Sequence, residues 1–212
     1  MQLIAEDLAA AYGDIEVFSD LDYAFESGQA VAVVGPSGSG KTTLLSILGG
    51  LLRATRGAVY VLDDDRSMSA GDGIVAWVHQ TNHALRRRSV LDNVAIGFMA
   101  RGSTFPEAIE QVPALLAAVE IDDRASLPAG RLSGGEMQRL AIARALAVAA
   151  PFILADEPTG HLDPRTSQRI GDLLISQATA RGQGVVIATH DPMLAERCDR
   201  VLDLTAYTVP HG

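Results

Sequence analysis

Gly35-Pro36-Ser37-Gly38-Ser39-Gly40-Lys41-Thr42, preceded by the apolar run from Ala30 to Val34, decides how this chain folds. Five consecutive Ala and Val residues predict a strand buried on both faces. The glycines predict a tight turn, and the segment from Lys41 onward predicts a helix. Glycine lets backbone N–H groups close in around phosphate oxygens, and the helix start adds its partial positive charge. Lys41 is placed to reach the outer phosphates, and the Thr42 hydroxyl suits Mg²⁺, with Thr43 beside it. An incidental glycine-rich turn is the bland alternative, but here the strand before and the helix after are both in place.

The same strand-then-helix rhythm recurs outward from this loop. Phe152 to Ala155 is a short apolar run ending in Asp156 and Glu157, with a helical segment after Pro164; Gly184 to Thr189 is another, ending at His190. Strands alternating with helices predict a mostly parallel core sheet, whose ligands gather at the carboxyl ends of the strands. The alternation from Tyr12 through Ile15 to Phe25 predicts an antiparallel β subdomain. Helical periodicity after Val90, with Pro106-Glu107 as a helix-start signal, predicts a helical subdomain over approximately 90–149 inserted in the α/β core. The expected whole is one α/β domain spanning 1–212.

Asp156 at a buried strand end suits a second Mg²⁺ contact, and Glu157 next to it can hold an attacking water. Two solvated acids are the plain alternative. Leu132-Ser133-Gly134-Gly135-Glu136 opens a further helix, with Ser133 as N-cap and glycines that expose backbone N–H groups. That makes a second anion site. Since one phosphate loop already serves a triphosphate, a second phosphate-binding helix start invites a site completed by another subunit.

Taken together, these motifs resemble the nucleotide-binding subunit of ABC transporters, whose signature LSGGQ is similar to Leu132–Glu136. The likeness covers nearly the whole chain in the family's motif order. It implies an ATPase that binds ATP with Mg²⁺, held by Gly35 to Thr43, with Glu157 as catalytic base. It also implies Gln80 as the glutamine loop beside the metal and nucleotide, Asp163 as the aspartate loop, His190 as the switch histidine and Tyr12 as the aromatic stacked on adenine. Read alone, Gln80 and His190 are ordinary strand-end polar residues, and Tyr23 and Phe18 compete with Tyr12. The run Ala155 to Asp163 resembles the subfamily of macrolide exporters, lipoprotein-releasing transporters and the cell-division ABC pair, with His161 where asparagine is usual. The stretch from Gly57 to Gln80 is shorter than that subfamily's, and no regulatory domain is expected after Leu204. The resemblance implies a homodimer sandwiching two ATP molecules and a separate transmembrane permease subunit. A signalling ABC ATPase and a soluble non-transport one are the alternatives. Arg86-Arg87-Arg88 either meets acidic groups on a partner or is a solvated face.

Composition narrows the rest. A net charge of -9 and a pI near 4.9 disfavour nucleic acid as a partner, because an acidic body repels the phosphate backbone. The single cysteine, Cys198, cannot form an intrachain disulfide, which points to a reducing compartment. Glu6 and Asp7 do not fit a secretory signal. Arg144 and Pro151 break the most apolar stretch, Leu140 to Ala155, so no membrane span is predicted. The expected location is cytoplasmic, peripheral on the inner face of the membrane through the permease.

Overall fold

The computed structural model describes residues 1–64, 66–69 (backbone only), 73–79 and 84–208. The chain runs β1 (Gln2–Tyr12), β2 (Ile15–Glu26), β3 (Ala30–Val34), α1 (Lys41–Leu48), β4 (Arg56–Asp63), β5 (Arg66–Ser69), β6 (Val75–Val78), α2 (Val90–Ala100), α3 (Phe105–Ala118), α4 (Gly134–Val148), β7 (Phe152–Asp156), α5 (Pro164–Arg181), β8 (Gly184–Ala188), α6 (Pro192–Ala195) and β9 (Arg200–Asp203).

Five strands form a wholly parallel sheet in the order β6-β7-β8-β3-β9. Period-two alternation gives that sheet two buried faces. Ile153, Ala155, Val185 and Ile187 point into one core, shared with helices α2 to α5. Phe152, Leu154, Val186 and Ala188 point into the other, shared with α1 and the antiparallel strands. The second sheet, β2-β1-β4-β5, is antiparallel throughout. Each large side chain buried in these cores contributes about 1.5–3 kcal/mol.

The strands expected around the loop, the helix from Lys41 and the helices after Val90 all form. Sequence reasoning missed β4, β5 and β9. β4 and β9 carry mostly exposed or half-buried residues, so no apolar run betrays them. β1 also bends where its register shifts between Ala5 and Leu8. Asp7 and Asp20 take left-handed backbone there, and Arg56 on β4 pairs with both carboxylates. Among the described residues, no helix is long and apolar enough to cross a membrane.

Candidate nucleotide site

The turn between β3 and α1 curls because Gly38 and Gly40 adopt φ of 83° and 93°, a region that strains any side chain. The curl brings the Lys41 ammonium back over the loop, where it donates to the carbonyls of Gly35 at 2.8 Å and Pro36 at 3.0 Å. Lys41 is therefore only 9% exposed. The Ser39 hydroxyl is buried inside the same loop, with no hydrogen-bond partner among the described residues.

Parallel strands that end together bring distant residues to this loop. Asp156 closes β7, buried, and its Oδ2 accepts the Thr42 hydroxyl at 2.8 Å. Burial pushes the Asp156 carboxyl above its usual range, while the Thr42 hydrogen bond pulls it back. Glu157 follows in left-handed backbone (φ 47°), held by its N–H to Ala188 O at 3.0 Å on the neighbouring strand. Such a conformation costs about 1–3 kcal/mol and is characteristic of functional turns. It turns the carboxylate out of the sheet, so that Oε2 lies 2.8 Å from Nδ1 of His190 beyond β8.

An open cleft of about 380 Å³ is lined by Tyr12, Val17, Ser37, Gly38, Gly40, Lys41, Thr42, Thr43, Asp156 and Glu157. Tyr12 is 57% exposed, with its hydroxyl 3.3 Å from Thr43 Oγ1. Its two rivals sit elsewhere: Phe18 is fully buried, and Tyr23 packs on Phe25 under the Arg200 guanidinium. Val17 escaped sequence reasoning, since one half-buried valine in a strand carries no chemical signal. Glu157 also borders a second hollow of about 340 Å³, shared with Thr159, Thr189 and His190.

The structure places the helix start at Ser133 apart from this cleft. Ser133 caps α4, and Glu136 answers by accepting the Ser133 N–H and hydroxyl at 2.8 Å each. Gly134 and Gly135 follow. A Cβ on Gly135 would lie 3.3 Å from His161 O and Leu162 Cδ2, so the helix start abuts the segment leading into Asp163. Among the described residues, Ser133, Gly134, Gly135 and Asp163 do not line the Lys41 cleft. Asp163 caps α5 by accepting the N–H groups of Arg165 and Thr166 at 3.1 Å each, and Thr166 holds its carboxyl below the usual range. Gln80 lies outside the described residues.

Sequence reasoning also missed what fixes the Ser133 turn. Arg124 Nε donates to Glu136 Oε1 at 2.8 Å, and Arg124, with Ser133, holds the Glu136 carboxyl down at about 2. A folded-state value below the ordinary 4.5 means stabilisation that is present above pH 4.5 and lost as pH falls through about 2. Glu136→Ala is accordingly expected to destabilise the fold by about 1 kcal/mol at neutral pH. Urea unfolding at stepped pH should show that difference shrinking below pH 4.5, and a pH-independent difference would remove the cap from the account.

Comparison with known proteins agrees with this geometry. Residues 18–160 match the family model described as ABC transporter. The chain is 39% identical over 210 residues to the lipoprotein-releasing system ATP-binding protein LolD of Idiomarina loihiensis, covering 94% of this chain and 92% of that protein. It is 37% identical over 213 residues to LolD of Legionella pneumophila strain Lens, covering 95% and 94%. Among solved structures, a dimeric bacterial ABC transporter cassette matches with a TM-score of 0.86 at 31% identity, covering 95% of this chain and 93% of the other. A dimeric post-hydrolysis state of an ATP-binding cassette, bound to ADP and Pi, matches with a TM-score of 0.85, also at 31% identity. The chain belongs to the ABC transporter family, as an ATP-binding and ATP-hydrolysing subunit that powers a membrane ABC transporter.

Proposed function

We propose that residues 1–212 work as one unit in a homodimer sandwiching two ATP molecules, each held by the phosphate loop of one copy and the Ser133 helix start of the other. The separation of Ser133 from the Lys41 cleft supports this reading, because a helix start suited to anions does not line its own chain's cleft.

In each site, backbone N–H groups from Gly35 to Thr43 cradle the phosphates, with the Pro36 and Ser37 backbone shaping the loop mouth. The unpartnered Ser39 hydroxyl is one group a ligand would satisfy. Lys41 exchanges its loop carbonyls for the outer phosphates. Thr42 and Asp156 offer two hard oxygens 2.8 Å apart, a donor set suited to Mg²⁺. When bound there, the ion neutralises charge on the transferring phosphoryl group. Glu157 orients the attacking water and accepts its proton as the bond from γ-phosphorus to the bridging oxygen breaks, releasing ADP and phosphate. His190, bonded to Glu157, holds that carboxylate in place and contacts the γ-phosphate. Gln80 joins the metal and reports its state. Asp163 positions the facing segment of the dimer.

The partner in this proposal is a separate membrane permease of the lipoprotein-releasing type, which keeps this chain peripheral on the inner membrane face. The relatives' names support that choice.

Mixing two inactive variants tests the shared site. Lys41→Ala and Ser133→Arg subunits should each be inactive alone. Their mixed dimer contains one intact site, so hydrolysis should return on mixing. No recovery at any ratio would refute the sandwich.

Stacking on adenine gives a second test. Tyr12→Ala should weaken ATP binding by roughly tenfold, an aromatic contact being worth about 0.5–1.5 kcal/mol, whereas Tyr12→Trp preserves it. Calorimetric titration decides, and undiminished binding by the alanine variant moves the role elsewhere.

A further inference from the structure

Among the described residues, the His190 ring bonds to Glu157 alone, and its side chain is 73% exposed. Little packing aims the imidazole, so the backbone on either side must do so. On the sheet side the hold is direct. Thr189 is buried, its N–H donates to Val33 O at 3.1 Å, and its hydroxyl accepts the Asp191 N–H at 3.0 Å. On the far side, Asp191 caps α6 by accepting the Met193 N–H at 2.9 Å. α6 is four residues long, too short to hold a position by itself.

The longer helix α5 supplies that position. Gly171 stands inside it, where glycine is a poor helix former, and a Cβ there would lie 2.7 Å from Leu194 Cδ1. The short helix is therefore seated directly on the α5 backbone. Arg197, just past α6, closes the seat: its guanidinium pairs with the Asp172 carboxylate, and its Nη1 donates to Gln168 O at 3.4 Å. The same helix also holds the Glu157 side. Ser167 Oγ lies 3.3 Å from both Thr159 O and Leu162 O, in the loop that leaves Glu157. Between the two loops is a hollow of about 450 Å³, walled by Leu162, Pro164 and Ser167 on one side and Met193, Leu194 and Arg197 on the other. Beyond the strand ends, α5 is the element that both loops share.

We propose that Arg197 is a positioning residue for hydrolysis, fastening α6 to α5 so that His190 Nδ1 stays within hydrogen-bond reach of Glu157 Oε2. The inference rests on the reading in which Glu157 and His190 carry the chemistry. Misplacing a reacting group by about 1 Å costs up to roughly 100-fold in rate, so a modest shift of α6 is enough. An ion pair with side-chain exposures of 30% and 59% adds little stability, so activity is the property its loss should reveal.

The test measures ATP turnover, ATP affinity and thermal unfolding of the purified chain. Arg197→Ala should lower kcat by roughly tenfold or more, with KM and calorimetric ATP affinity within about twofold of wild type and the melting temperature little changed. The charge-swapped pair, Arg197→Asp with Asp172→Arg, should recover most of the lost turnover, and Arg197→Lys part of it. The nitrogen NMR resonance of His190 Nδ1, assigned by its absence in His190→Gln, should move to the position of a free imidazole in Arg197→Ala and return in the swapped pair. A merely stabilising ion pair would leave that resonance where it is. Full turnover in Arg197→Ala, no recovery by the swap, an unmoved His190 resonance, or a lowered kcat accompanied by weakened ATP binding would each overturn the proposal. Should the swapped pair not fold, Asp172→Ala takes its place: it should reproduce the Arg197→Ala loss, and the double variant should lose no more than either alone. Glu157→Gln assayed alongside keeps the two readings apart. Normal turnover there removes the chemical role of Glu157, whereas an inactive Glu157→Gln beside an unimpaired Arg197→Ala removes only the clamp.

Discussion

Lys41→Ala is expected to abolish measurable MgATP binding and hydrolysis while the chain stays folded. Lys41 supplies the one ammonium aimed into the phosphate loop, and its three donors suit a cluster of phosphate oxygens. Losing that cation should weaken binding by at least about 100-fold, or roughly 2.7 kcal/mol. The fold should survive because, among the described residues, Lys41 bonds to two loop carbonyls, Gly35 O and Pro36 O, and the cores on both faces of the sheet are untouched. Lys41→Arg should not rescue, since a planar fork does not fit where a compact ammonium bridges two carbonyls. The sequence offers an independent check: Lys41 is the only lysine in the chain. An amine-acylating reagent therefore has one side-chain target besides the terminal amine of Met1, and ATP should protect it. Normal turnover by Lys41→Ala, or unprotected labelling in saturating ATP, would remove the basis of the site.

Glu157→Gln should separate binding from chemistry. Glutamine can keep the hydrogen bond to His190 but cannot take the proton from water, so turnover should fall by about 10² to 10⁴ while ATP still binds. In the proposed sandwich, blocked hydrolysis should leave the γ-phosphate bridging Lys41 and Thr42 of one copy to Ser133 and Gly135 of the other. The closed dimer should accumulate. In wild type, loss of phosphate should break that bridge and let two bodies of charge -9 separate. Size-exclusion chromatography of the variant is expected to show a dimer in MgATP and a monomer in MgADP. Adding Ser133→Arg should abolish the dimer by placing a long side chain where the partner's γ-phosphate docks. A monomer in saturating MgATP, with the membrane partner present, would reject the shared site.

Local chemistry made the phosphate loop legible before any coordinates. Glycine spacing, a preceding apolar run and a following helix are neighbours in sequence, so their meaning needs no tertiary contact. The same holds for Asp156 and Glu157 at the end of the run from Phe152, and for Ser133 as a cap. Each is a short-range pattern with one physical cause. β4 and β9 were not legible because they carry mostly exposed or half-buried residues that only strand partners identify.

The amino-acid sequence by itself determined the parallel α/β core and the glycine turn between β3 and α1, because periodicity and turn chemistry act over a few residues. Tertiary structure alone decided which residues meet across long separations. It put the Glu157 carboxylate on His190, because β7 and β8 end side by side. It put Tyr12, and not Phe18 or Tyr23, on the Lys41 cleft, because burial and ring packing cannot be read from residue type. It tied Arg86 and Arg88 to the segment before Ser133 through a backbone ladder, because a hydrogen bond between peptide groups leaves no trace in the side chains that flank it.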